Sequence, residues 1–167
     1  MASDITQREA LMHLGASTAE AAARVLESFV PGGVERGDVS VIGEMQNPFA
    51  NLPVGGIAAS VRYLDGVTGA NVFIMPHSCA RTLSTAMGVG AEDGALTELE
   101  MSAVGEASNQ MLASAAAAIS VVIGQEIEIS PPDVRIIDSK VDAVDVWGTA
   151  PFACSTSFTI QGEPCRL

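Results

Sequence analysis

Three polar side chains stand at helical spacing in an otherwise apolar stretch: Ser102, Glu106 and Asn109, with Pro132 after twenty-two intervening residues. At about 100° per residue, the three fall within about 60° of one another on a helix. A carboxylate and a carboxamide are thereby held one turn apart on one side of a rigid element. This arrangement predicts a site that grips and positions another molecule.

A solvated polar face is the commonest explanation for such residues, and it is the alternative to a site. The spacing of Ser102 and Pro132 around Glu106 and Asn109 favours a site. Other candidates carry weaker signals. We do not expect Cys79 to be a catalytic nucleophile, and the acids at 92–93, Glu98 and Glu100 lack the spacing of metal ligands. We therefore expect no metal site and interpret these acids as a solvated linker and helix start.

A long helix from Thr97 to Ile123, ended by Gly124, positions the polar stripe. Its opposite side carries apolar residues at helical spacing, which predicts a buried face. These residues are Val104, Ala107, Met111, Ala115, Ala118 and Val122. On the polar side, Ala113, Ala116 and Ser120 continue the stripe, and we expect their small side chains to let another surface approach closely.

The remaining pattern predicts one further long helix, one short helix and several strands. The helices are Thr6–Phe29 and Ser78–Met87, the latter with Ser78 as N-cap; the strands are Asp38–Ile42, Ile57–Leu64, Ala70–Met75, Glu126–Ile129, Val134–Ile137, Val141–Val146 and Phe152–Ile160. Gln161, Gly162 and Glu163 form a turn, so either a very short returning strand follows or the natural chain continues past Leu167.

The two halves of the chain are related by an offset of about 95 residues, which superposes both long helices and a strand after each. We predict a single α+β domain over residues 1–167, with pseudo-repeats at about 4–88 and 97–167. In this fold class two long helices pack on a shared, mainly antiparallel sheet.

The formal net charge is −12 with a pI near 4.3, and Lys140 is the only lysine. Such a surface disfavours nucleic acid and anionic membranes, because phosphate binding requires clustered basic residues. No apolar run is long enough for a membrane span, and the N-terminus lacks a signal core. The cysteines Cys79, Cys154 and Cys165 fit free thiols in a reducing compartment. We therefore expect a cytoplasmic protein.

The pattern Ser-x-x-x-Glu-x-x-Asn, followed at a fixed long gap by proline, resembles the signature of the CheC/CheX/FliY family of response-regulator phosphatases. The stretch Leu99–Ile123 is most similar to the second signature helix of the FliY type, a flagellar switch component. The duplicated layout extends the resemblance over nearly the whole chain. It implies a CheC-like duplicated fold and a place in bacterial chemotaxis and flagellar motor control.

The resemblance also implies a mechanism. The CheY-like response regulator brings the aspartyl phosphate, a bound Mg²⁺ and a lysine, so the phosphatase needs no cofactor of its own. Asn109 would orient water for in-line attack, and Glu106 would engage the lysine. Ser102 and Pro132 would support the motif. Positioning is sufficient, because phosphoryl transfer depends largely on alignment and charge stabilisation.

Aligned with the family pattern, the first half departs from it. Thr6 takes the place of the leading polar residue, Ala10 that of the glutamate and His13 that of the asparagine. We expect this first site to be inactive.

A non-catalytic role is the competing hypothesis: a flagellar motor switch or adaptor domain that binds CheY-like or switch proteins. A CheD-like deamidase is a further candidate partner, as some family members bind one. Of these, the intact second motif favours the phosphatase.

Overall fold

The computed structural model describes residues 2–43, 47–65, 67–90, 93–138, 147 and 153–167. The described parts form three helices and seven strands. The helices are α1 (Ala2–Phe29), α2 (His77–Ala86) and α3 (Glu98–Ile123). The strands are β1 (Val34–Ile42), β2 (Ile57–Asp65), β3 (Ala70–Met75), β4 (Glu128–Ile129), β5 (Asp133–Ile136), β6 (Ala153–Ile160) and β7 (Glu163–Arg166).

The strands form one antiparallel sheet in the order β1-β6-β7-β3-β2, and β4 and β5 both pair with the far edge of β2. Ile57 and Ser60 lie opposite Ile136 and Asp133, while Tyr63 lies opposite Ile129. The segment 128–136 therefore runs along one strand and is interrupted at Pro131 and Pro132. Proline causes this break because it has no N–H to donate to the ladder.

The long helices α1 and α3 lie against each other and cover one face of the sheet. Between them and the sheet is the main core, in which Leu26, Phe73, Met111 and Phe158 are almost completely buried. A smaller cluster lies apart from this main core, where Trp147 contacts Phe49 with ring centroids 4.9 Å apart. The side of α3 that carries Ser102 and Glu106 is exposed.

The prediction of an α+β fold with two long helices on a mainly antiparallel sheet is confirmed. The returning strand after Gln161 is β7, which is four residues long. The expected strand at Val141–Val146 lies outside the described residues. The pseudo-repeats at about 4–88 and 97–167, and the single domain over 1–167, stay predictions.

Ser78 is not the N-cap of the short helix, so that prediction was wrong. The helix begins at His77, is preceded by Pro76 and has no side-chain cap. The Ser78 hydroxyl instead donates to Glu163 Oε2 across 2.8 Å, which ties α2 to β7. None of the helices in the described ranges is both long and apolar enough to cross a bilayer.

Candidate functional site

The four motif residues surround one shallow depression beside α3, with a volume of about 370 Å³. Ser102 and Glu106 are exposed, whereas Asn109 and Pro132 are half-buried. Met101, Gly105 and Val134 complete the lining. The chain therefore brings Ser102, Glu106, Asn109 and Pro132 together, although Pro132 is distant from the others in sequence.

The break between β4 and β5 places Pro132 next to the helix. Val134, two residues further along the edge strand, faces Gly105 so closely that a Cβ on this glycine would lie 3.6 Å from Val134 Cγ2. That distance is an ordinary van der Waals contact. Because Gly105 carries no side chain, the depression stays open next to Ser102 and Asn109.

The Glu106 carboxylate has a neighbour that the sequence analysis did not single out. Gln110 Nε2 donates to Glu106 Oε1 across 2.8 Å, one turn further along the exposed side. The spacing of four residues was the available signal, since such pairs meet on a helix. This bond orients one carboxylate oxygen and leaves Oε2 for another partner.

A capping box fixes the N-terminal end of α3. Thr97 Oγ1 accepts from the Glu100 N–H, and Glu100 Oε2 accepts from the Thr97 N–H across 2.8 Å. This reciprocal arrangement satisfies two backbone donors that a helix start leaves without partners. Thr-x-x-Glu before the apolar run was its signal in the sequence.

Glu100 is completely buried, so the prediction that it lies in a solvated helix start was wrong. Arg81 Nε of α2 donates to Glu100 Oε1 across 3.0 Å, and the Arg81 guanidinium also reaches the Ala95 carbonyl across 3.3 Å. The hydrogen bond from Arg81 and those from Thr97 lower the pKa of Glu100 from 4.5 to about 2. The carboxylate is therefore ionised at neutral pH, and it locks α2 to the start of α3.

The inner side of α3 packs as predicted at Val104, Ala107, Met111 and Ala115, which are all fully buried. Ala118 and Val122 are half-buried. On the outer side, Ala113 is exposed, but Ala116 is buried and cannot meet a partner. The exposed side of α3 is thus narrower toward its C-terminal end than the residue spacing predicted.

The degenerate first site lies on α1 and does not contribute to the depression. Thr6, Ala10 and His13 are exposed there. Nearby, Gly15 packs so tightly on β1 and β6 that a Cβ would come within 2.7 Å of Val39 Cγ1. Among the described residues, the carboxylate and carboxamide that line the depression come from α3, and no residue of α1 lines it.

No group of three or more His, Cys, Asp or Glu side chains in the described ranges has metal-binding geometry. His77 Nε2 lies 3.0 Å from the Gly94 carbonyl, and Cys79 and Cys165 are buried. These residues are accounted for by packing and local hydrogen bonding. Within the described residues, the α3 depression is the strongest candidate site.

The fold and the motif together define a domain in which helices pack on a sheet and the exposed side of α3 carries Glu106 and Asn109. The CheC-like family matches this chain over residues 99–136, which include the whole motif from Ser102 to Pro132. The resemblance to the CheC/CheX/FliY family is therefore confirmed.

Among particular proteins, this chain is 41% identical over 86 residues to the flagellar motor switch phosphatase FliY of Bacillus subtilis. The match spans 49% of this chain but only 22% of that protein. The crystal structure of Thermotoga maritima FliY has a TM-score of 0.74 at 24% identity, covering 96% of this chain and 88% of that one.

A third similar structure is the CheX–CheY–BeF3–Mg²⁺ complex from Borrelia burgdorferi. Its TM-score is 0.63 at 16% identity, with 90% of this chain and 91% of that chain covered. Likeness at this level of identity shows a shared fold.

Proposed function

We propose that this chain hydrolyses the aspartyl phosphate of a CheY-like response regulator in bacterial chemotaxis and flagellar motor control. The observation that carries the proposal is the placement of Glu106 and Asn109 together at the rim of the α3 depression, where a second protein can reach both. The name of the Bacillus subtilis relative supports the same activity.

The proposed chemistry is positioning. Asn109 donates to and accepts from an attacking water, and a neutral amide suits a site next to a dianionic phosphoryl group. Glu106 engages a lysine of the regulator through the oxygen that Gln110 leaves available. Ser102 and Pro132 shape the rim and floor. Alignment of water with the phosphorus accelerates attack without a nucleophile from this chain.

The Mg²⁺ that phosphoryl transfer requires would come with the regulator, and we propose no cofactor for this chain. The proposed partner is the phosphorylated regulator. The proposed location is the cytoplasm, close to the flagellar motor. Flagellar switch proteins are further proposed partners, whereas a CheD-like deamidase rests on the resemblance alone.

The test is phosphate release from a CheY-like response regulator of the same organism, loaded with acetyl phosphate in the presence of Mg²⁺. We expect the chain to accelerate release and Asn109→Ala to abolish the acceleration. His13→Ala, which removes the corresponding side chain of the first site, is the matched control and should retain full activity. Equal rates with and without the chain would refute the phosphatase.

The second candidate function is a switch or adaptor domain that binds without catalysis. It is favoured by the degenerate first site and by the switch protein that this chain resembles over 22% of that protein's length. In that case the chain would bind the phosphorylated regulator or switch proteins and leave the dephosphorylation rate unchanged.

A further inference from the structure

Two large apolar side chains, one near each end of α3, are directed into solvent. Leu99 is 72% exposed and Val121 is 83% exposed. Single exposed apolar residues are common on soluble proteins and need no explanation by themselves. Leu99 differs because of where it lies relative to the candidate site.

At about 100° per residue, Leu99 lies about 20° from Glu106 and about 60° from Ser102 around the helix axis. Met101 and Gly105 lie on the other side of Ser102 and line the depression together with the motif residues. The polar stripe therefore has Leu99 on one flank and Met101 and Gly105 on the other. Along the axis, Leu99 is about 10 Å from Glu106, whereas Val121 is about 22 Å away.

We infer that Leu99 is a docking contact for the phosphorylated CheY-like regulator. This inference rests on the proposed function. If Asn109 reaches the phosphoryl group, the partner must cover the middle of α3. A typical interface buries about 800 Å² on each partner, a patch of about 16 Å radius. Leu99 lies inside such a patch centred on Glu106, and Val121 lies outside it.

A carboxylate and an amide contribute little net binding energy, because both exchange water for partner groups. At protein interfaces, the contacts that surround the central polar or aromatic groups exclude water from them. Leu99 is the large exposed apolar side chain nearest the polar stripe among the described residues of α3. Its burial would also dry the surroundings of Glu106, which strengthens attraction to a cationic partner group.

The experiment compares Leu99→Ser with Val121→Ser, a matched loss of an exposed apolar side chain from the same helix. Phosphate release at varied concentrations of the acetyl-phosphate-loaded regulator gives kcat and KM. We expect Leu99→Ser to raise KM about fivefold with kcat unchanged, since the lost contact is made equally in ground and transition states. Val121→Ser should leave both constants within about twofold of wild type.

Calorimetry with the regulator loaded with BeF3⁻ and Mg²⁺ measures the binding affinity without turnover, and so separates docking from catalysis. A weaker affinity for Leu99→Ser with a normal one for Asn109→Ala supports docking even if no turnover is found, and in that case only the phosphatase is refuted. Unchanged KM and affinity for Leu99→Ser, or an equal loss for Val121→Ser, overturns the inference while the phosphatase stands. A wild-type dimer that Leu99→Ser converts to a monomer would assign the residue to a second copy and overturn it too.

Discussion

Arg81 in α2 and Glu100 in α3 form a hydrogen-bonded ion pair with 3.0 Å between Nε and Oε1, and the carboxylate is completely buried. The same Glu100 closes the capping box at the start of the helix that carries the candidate site. The Glu100 carboxylate thus both caps the start of α3 and holds this end of the helix against α2. We expect this anchor to fix the orientation of the helix that carries Ser102, Glu106 and Asn109.

We predict that Arg81→Met lowers the melting temperature by several degrees, because it leaves a buried carboxylate without its counter-charge. The exposed pair of Arg24 and Glu20 on α1 provides the control. Arg24→Met should change the melting temperature by no more than about 1 °C, since exposed ion pairs contribute little. Thermal unfolding of both variants by circular dichroism is the measurement, and similar shifts would contradict the prediction.

The same pair predicts a pH dependence of stability. The pKa of Glu100 is about 2 in the folded chain and 4.5 ordinarily. A lowered folded pKa means that the pair contributes its full stability above about pH 4.5 and loses it progressively as the pH falls toward 2. We expect the stability difference between wild type and Glu100→Gln, from urea unfolding at several pH values, to be constant from pH 7 to 5. It should shrink below pH 4.5, and a difference that grows on acidification would be inconsistent with this assignment.

The sequence predicted the polar stripe well because the side-chain positions on a helix depend only on spacing. The inner face, from Val104 to Ala115, followed from the same periodicity. The buried role of Glu100 was beyond this argument, because it depends on Arg81 in a different element. Ala116 illustrates the same limit: its angular position suits the outer face, but tertiary packing covers it.

Pro132 shows what a fixed gap in sequence can and cannot tell. The gap identified the residue, but its place beside Asn109 depends on the interrupted strand that pairs first as β4 and then as β5 with β2. Strand pairing at that edge is a non-local contact, which periodicity does not report. Gln110 was missed for a simpler reason, because it is outside the motif although its spacing from Glu106 is ideal.

Two substitutions of Gly105 test the stability of the domain and its proposed function separately. In a helix interior, Gly→Ala stabilises by about 0.5–1 kcal/mol, and the added Cβ would lie at an ordinary 3.6 Å from Val134. We therefore expect Gly105→Ala to raise the melting temperature. Gly105→Leu should also fold, but its side chain should fill the depression. The rate of phosphate release from the phosphorylated regulator should then fall at least about tenfold. Full activity of Gly105→Leu would mean that the depression has no part in the reaction.

The side chain at position 109 provides the sharpest test of positioning chemistry. Asn109→Asp keeps the shape but replaces a neutral amide with an acceptor-only carboxylate where we propose that the phosphoryl group binds. Like charge and the lost donor should lower kcat about a hundredfold or more, with little change in melting temperature because the residue is only half-buried. His13→Ala, which truncates an exposed side chain of the first site on α1, is the control and should alter kcat by no more than about twofold. Single-turnover phosphate release at saturating chain concentration measures both, and an active Asn109→Asp would exclude the amide as the group that orients water.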